Sequence, residues 1–298
     1  MSKWRWGDRK DGKLIRDLDA LHFIMGTIYP NRADNEAYIS ERVDLSAIKA
    51  YLEEKNREEA ETAQQNGEEP FPYTFFHVIV AAALKTVLLR PHLNRFIVNG
   101  NYYQRSQITA AFVVKKQFTD KSEEKMAFLR ARNGDSLEDI HNEIKKQVRS
   151  VRRGKDNSTD KTMDFFNKLP RFLSKLLIKF VMFLDKHGWV PDQFIRDDPN
   201  YSSVFLTNLG SIKLRCGYHH LSNWGTASIF MVIGEKKWTP LYDQTGFVRM
   251  RETLDLGLTV DERIADGYYF SKSVRLLKYL LEHPDLLDLP LSSEVEYE

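Results

Sequence analysis

Near its C-terminus the chain reads Thr259-Val260-Asp261-Glu262-Arg263-Ile264-Ala265-Asp266-Gly267 and runs on into an amphipathic segment that ends near His283. The pattern predicts a strand that ends on a charged turn, with Gly267 supplying a sharp bend before a helix begins. Corners of this kind expose side chains, and Glu262 is the carboxylate on which any chemistry here depends. A second polar group, Thr207-Asn208-Leu209-Gly210, closes a predicted strand over Tyr201 to Leu206. Between the two stands Tyr218-His219-His220-Leu221. Adjacent histidines point in different directions on any regular element, and no matching carboxylate motif accompanies them, so no metal site is expected.

These residues need a framework, and the chain supplies one in order. A strand is predicted over Glu36 to Val43, with Asp44 placed to cap a helix that carries Leu45, Ile48 and Leu52 on one face. The charged, Gln-rich stretch about 53–70 reads as a solvated helix end plus a loop. Phe75 to Leu89 is apolar nearly all round and predicts a buried helix, with His77 as a core residue. Phe96-Ile97-Val98, Asn99-Gly100, Asn101-Tyr102-Tyr103 is a hairpin signal, because Asn-Gly tolerates the positive φ angles of a type I′ turn. A buried strand follows over Ile108 to Val114. Ser136 and Asp139 resemble a capping box ahead of Leu137, Ile140, Ile144 and Val148 at helical spacing.

That helix ends in a basic run, Lys145, Lys146, Arg149, Arg152, Arg153 and Lys155. It reads as a solvated face opposing the negative end of the helix dipole, the alternative being a contact with the phosphates of a nucleotide coenzyme. Aromatic interleaving of the kind that binds single-stranded nucleic acid is absent. Met163 to Trp189 (163–189) carries a wide apolar stripe against Lys168, Arg171, Lys175, Lys179 and Lys186. Burial against the domain is the default for such a helix, and a membrane-surface helix or one wall of an acyl-chain tunnel stand beside it. Strands are then predicted over Ala227 to Ile233, closed by Gly234, over Phe247 to Arg251 and over Leu254 to Val260.

Composition sets wide limits. With 298 residues, 42% apolar and 12% aromatic, the chain can fill a substantial core, and a net charge of +2 provides no global field for nucleic acid. Cys216 is the only cysteine, which excludes an intrachain disulfide and fits a reducing compartment. The N-terminus lacks the apolar core of a secretory signal, and no apolar run reaches the roughly 20 residues needed to cross a bilayer, so a cytoplasmic protein is expected.

Taken together, Thr207-Asn208-Leu209-Gly210, the strand ending in Gly234, and Asp261-x-Arg263-x-x-Asp266-Gly267 before a C-terminal helix resemble the catalytic domain of the dihydrolipoamide acyltransferases of 2-oxo acid dehydrogenase complexes, a domain akin to chloramphenicol acetyltransferase. The helix and hairpin of Phe75 to Tyr103 are similar to theirs. The resemblance covers most of the chain and is weakest at about 121–200, where extra helical material is expected. It implies one domain over 1–298, an α/β two-layer sandwich with a largely antiparallel mixed sheet, assembled as a homotrimer with acyl-transfer sites in channels between subunits. It further implies coenzyme A or an acyl-CoA as substrate, an acyl acceptor of small-molecule kind, and no metal. No lipoyl or subunit-binding domain, and so no covalently bound lipoyl group, is expected in this chain.

In that family a His-x-x-x-Asp-Gly motif supplies the general base, and a Ser or Thr hydroxyl stabilises the tetrahedral oxyanion. Thr207 matches the hydroxyl, Asp266 and Gly267 match the motif's end, and Glu262 stands at the base position. With ordinary values, moving a proton from a thiol of pKa ~8.5 to an imidazole of ~6.5 is uphill by about 2.7 kcal/mol, and to a carboxylate of ~4.3 by nearly 6 kcal/mol. His219 or His220 is therefore a candidate relocated base. Asn208, Gly267 and Arg263 are candidate contacts to the coenzyme. Asp266 is expected to order the site through a salt bridge, with Arg16 and Arg32 as candidate partners. The alternative function is a non-catalytic trimeric scaffold that binds CoA or a lipid.

Overall fold

The computed structural model describes residues 4–115, 124–152 and 169–297. The main layer is a seven-stranded sheet built from β2 (Glu36–Asp44), β5 (Ile108–Lys115), β6 (Glu124–Ala131), β7 (Val204–Asn208), β8 (Ile229–Ile233), β9 (Lys237–Tyr242) and β10 (Val248–Asp261). Its order is β2-β10-β8-β7-β5-β6, with β9 paired to the first half of β10. The β5–β7 and β7–β8 pairs are parallel and the rest antiparallel, which is the mixed sheet expected. A smaller antiparallel sheet, β1 (Gly12–Leu14), β4 (Asn101–Arg105) and β3 (Arg95–Val98), contains the hairpin. Its turn has φ of 51° at Asn99 and 73° at Gly100, so the Asn-Gly pair does what its composition suggested.

One face of the main sheet is covered by α3 (Phe75–Leu89), α4 (Leu137–Arg152) and the C-terminal helix, here α7 (Gly267–Glu282), with α2 (Ser46–Asn66) packed against α3 and α7; α1 (Ala20–Ile28), α5 (Arg171–Lys186) and the short α6 (Asp192–Ile195) lie elsewhere. The uniform apolarity of α3 has a direct cause: Val78 to Ala82 and Leu84 are fully enclosed between the sheet and its helical neighbours. Alternate residues of the strands, such as Leu206, Met231 and Leu258, enter this core. Their neighbours Phe205, Phe230 and Val232 point to the opposite face, where Leu209, Cys216 and Leu221 cover them.

Several expectations are corrected. Residues 53–66 continue α2 as one helix, because α2 is anchored at Ile48 and Leu52 and again at Ala63 before Gly67 ends it at φ 65°. Glu124–Ala131 is the edge strand β6 rather than part of a helical insertion. The two strands predicted between Phe247 and Val260 are one strand, long enough to pair with β9, β2 and β8 in turn. The described part of the basic run keeps to the solvated-face reading, with Lys146 and Arg149 exposed, and meets acids at three places: Lys145 lies 3.3 Å from Glu59, Lys146 3.3 Å from Glu143 and Arg149 4.0 Å from Glu68. Arg153 and Lys155, like Met163 to Lys168 of the long apolar segment, lie outside the described residues. The apolar stripe on the described part of that segment is not buried against the domain: Phe172 is 75% exposed and Leu176 64%. Among the described residues no helix is long and apolar enough to cross a membrane.

Two buried histidines lie against the rings of Phe71 and Tyr73. His77 accepts at Nδ1 from the Thr74 amide at 2.9 Å, closing the start of α3, and its ring lies 4.8 Å from that of His141, which stacks on Tyr73 at 3.7 Å. Burial, reinforced by His141, pushes His77 down to about 3. Burial also pushes His141 down to about 4, with Glu59 opposing it and Lys145 adding to it. Free histidine titrates near ~6.5, so between that pH and about 4 the unfolded chain holds more protons than the native one. Stability is therefore complete above pH 6.5 and declines as pH falls through this window, by up to about 1.4 kcal/mol per pH unit for each histidine. Urea melts from pH 7 to pH 4.5 are expected to show this decline, and His141→Phe to remove one proton from its slope.

Candidate active site

The corner after β10 is built by a 3-10 turn over Glu262–Ile264, after which Asp266 caps α7 by accepting from the Tyr269 amide at 2.7 Å. Gly267 is the first residue of α7 and has no positive φ; a Cβ there would meet nothing within 4 Å, so the bend is made by the turn and not by this glycine. Asp266 carries no ion pair among the described residues, and the expected salt bridge is absent from it.

The carboxylate that orders the corner is Asp261, fully buried. Arg263, 1% exposed, donates from Nε to its Oδ1 at 2.7 Å and from Nη2 to its Oδ2 at 2.6 Å, a bidentate pair, and from Nη1 to the Tyr29 carbonyl. Arg32 has its Nε 3.8 Å from Asp261 Oδ2 and donates to the Ser222 carbonyl at 2.7 Å and the Gly225 carbonyl at 3.1 Å. Arg32 was thus a sound candidate with the wrong acid. Arg16 pairs with Asp8 at 3.2 Å near the N-terminus. Burial lowers the Arg32 pKa, and Asp261 opposes that shift. Arg263, a candidate coenzyme contact, thus has its guanidinium turned inward onto Asp261 and the Tyr29 carbonyl. The Asp-x-Arg spacing at the end of a buried strand was the signal for this pair.

The cluster leaves Glu262, like Asp266 and Gly267, exposed at the corner. Its amide donates to the Asn35 carbonyl at 3.0 Å, and its carboxylate has no partner among the described residues. Thr207 is half-buried at the end of β7, on the sheet face opposite the helices, and its hydroxyl makes no hydrogen bond among the described residues. Asn208 is committed locally: its side chain accepts from the Ser211 amide at 3.2 Å. Gly210 is required by close approach, since a Cβ there would lie 2.6 Å from the Gly234 carbonyl oxygen.

His219 is stacked flat on Phe230 of β8, ring centres 4.2 Å apart, and on His220 at 4.6 Å; its Nδ1 is fixed 2.9 Å from the His220 carbonyl, leaving Nε2 as the free nitrogen. Both rings are exposed. Phe230 lies two residues from Val232, the register partner of Thr207, so His219 shares a sheet face with Thr207, one strand across. Glu262 does not come close. Val232 pairs with Gly257, and Glu262 stands five positions beyond it; at ~3.4 Å per residue and ~4.8 Å per strand, Thr207 and Glu262 of one chain are about 20 Å apart.

The mixed sheet and its helical layer form a two-layer α/β fold of the chloramphenicol acetyltransferase type. Solved structures with this fold align along nearly the whole chain. A probable dihydrolipoamide acetyltransferase from Listeria monocytogenes matches 96% of this chain and 99% of its own at 13% identity and a TM-score of 0.61. The dihydrolipoamide acetyltransferase of Azotobacter vinelandii matches 92% and 93% at 13% identity and 0.57, and a chloramphenicol acetyltransferase 91% and 99% at 11% identity and 0.54. No protein-family model and no curated protein sequence matches the chain. At these identities the likeness establishes the fold.

Proposed function

We propose that this protein is an acyltransferase that moves an acyl group from coenzyme A or another thioester carrier to a thiol, hydroxyl or amine, at sites between the copies of a homotrimer. The observation that carries this reading is the placement of two uncommitted groups, the Thr207 hydroxyl and the Glu262 carboxylate, at opposite ends of one sheet. About 20 Å separates them within a chain, so only a second copy can bring one to the other. Glu262 then takes the acceptor's proton as the acceptor attacks the thioester carbonyl, Thr207 donates to the oxyanion that forms, and collapse breaks the C–S bond, the departing thiolate taking the proton back from Glu262. His219, on the Thr207 side, is the alternative base. Asp261 and Arg263 are positioning residues that hold the turn carrying Glu262.

The test is to supply the protein with short- and long-chain acyl-CoAs and a panel of acceptors while titrating released thiol. Turnover is expected, and none above that of the Thr207→Ala, Glu262→Gln double variant overturns the reading. A second reading, a non-catalytic trimer that binds CoA or a lipid, is favoured by one observation: a carboxylate stands where the resembled family has its imidazole. It predicts a ligand-induced melting shift without turnover, and activity gained only on Glu262→His.

A further inference from the structure

Helix α5 is held to the body at its last turn. There the Asp185 carboxylate, 5% exposed, accepts from Arg9 Nη2 at 2.9 Å and from the Tyr201 hydroxyl at 2.8 Å, and Leu184 packs with Val190, Ile195 and Tyr201. The preceding turns stand out from the protein. Phe172, Leu176, Phe180 and Phe183 are 75%, 64%, 55% and 49% exposed, and their spacing of four, four and three residues puts them on one stripe. Trp189, 60% exposed, extends the stripe past the helix end, its ring 6.2 Å from that of Phe183.

The charge along this helix has one sign. Arg171, Lys175, Lys179 and Lys186 are exposed and have no acidic partner among the described residues, and the helix's single acid, Asp185, is neutralised by Arg9. At 100° per residue Lys179 and Lys186 border the stripe beside Phe172 and Phe183. A large apolar area edged by unpaired cations and closed by a tryptophan has the chemistry of an interfacial helix. With 16 residues α5 is about 24 Å long, too short to span a bilayer and suited to lie in its surface. An antiparallel second copy on this stripe fits less well, because the cations lie along one edge of it and that pairing sets the two lysine edges against each other.

We infer that α5 docks the protein on an anionic lipid surface, with Phe172, Leu176, Phe180 and Phe183 at the headgroup–acyl boundary and the lysines on the lipid headgroups. The inference is independent of the acyl-transfer reading. It is tested by flotation of the full chain with phosphatidylcholine vesicles, with or without phosphatidylglycerol, at two salt concentrations, alongside light scattering without lipid. Binding is expected on the anionic vesicles only and is expected to weaken with salt. Lys175→Gln with Lys179→Gln is expected to reduce partitioning about 25-fold, and Phe172→Ser with Phe180→Ser to abolish it, with both variants keeping the native melting temperature and oligomeric mass. Failure of the native chain to float, equal flotation on both vesicle types, or a serine variant that changes mass but still floats overturns the inference, the last by identifying the stripe as an interface between copies.

Discussion

Replacing Asp261 with alanine is expected to destabilise the folded chain by about 3–5 kcal/mol, measured as a lower urea midpoint at unchanged slope. The size follows from what the carboxylate holds. Asp261 is fully buried, receives both forks of Arg263 and lies 3.8 Å from Arg32, so its removal leaves two enclosed guanidiniums with no counter-charge. Each of those guanidiniums also ties a separate segment to the corner, Arg263 reaching Tyr29 at the end of α1 and Arg32 reaching the loop at Ser222 and Gly225. Asp266→Ala removes only a cap to the Tyr269 amide and is expected to cost about 1 kcal/mol. The comparison assigns the ordering role: a larger loss at Asp266 than at Asp261 contradicts it.

That contrast also shows what a sequence can and cannot carry. Where one residue's own conformational preference decides, as at Asn99-Gly100, or where apolar periodicity decides, as along Phe75–Leu89, the element and its bounds were legible. The long β10 was read as two strands, because its first half pairs only with β9 and alternates differently from the half enclosed between β2 and β8. Residues of α2 after Leu52 look solvated because most of them are, yet Ala63 and the Gly67 cap keep the helix intact. At the corner, a charged turn between a strand and the C-terminal helix was legible, while the choice between Asp261 and Asp266 as the paired acid was not. That choice depends on which carboxylate the last strand residue turns inward, and so on a register set by β2 and β8. The exposure of α5 was invisible for a related reason: an amphipathic stripe records a need for an apolar partner, not which partner meets it.

If the acyl-transfer site lies between copies, two crippled chains should repair each other. Thr207→Ala is expected to lower the transfer rate about 10²–10³-fold, as loss of an oxyanion donor does, and Glu262→Gln to remove the base on the same surface. In a trimer refolded from equal parts of the two single variants, a site with an intact Thr207 from one copy and an intact Glu262 from its neighbour forms by chance about one time in four, so about a quarter of the native rate should return. The register separation of about 20 Å makes the result decisive, because a site confined to one chain would need both groups on that chain and could regain nothing by mixing. The mixture also separates the candidate bases. Were His219, on the Thr207 side of the sheet, the operative base, Glu262→Gln alone would retain most of the rate and His219→Ala would lose it. Recovery near a quarter of the native rate from the Thr207 and Glu262 variants therefore requires both groups to act, and requires them to act from different copies.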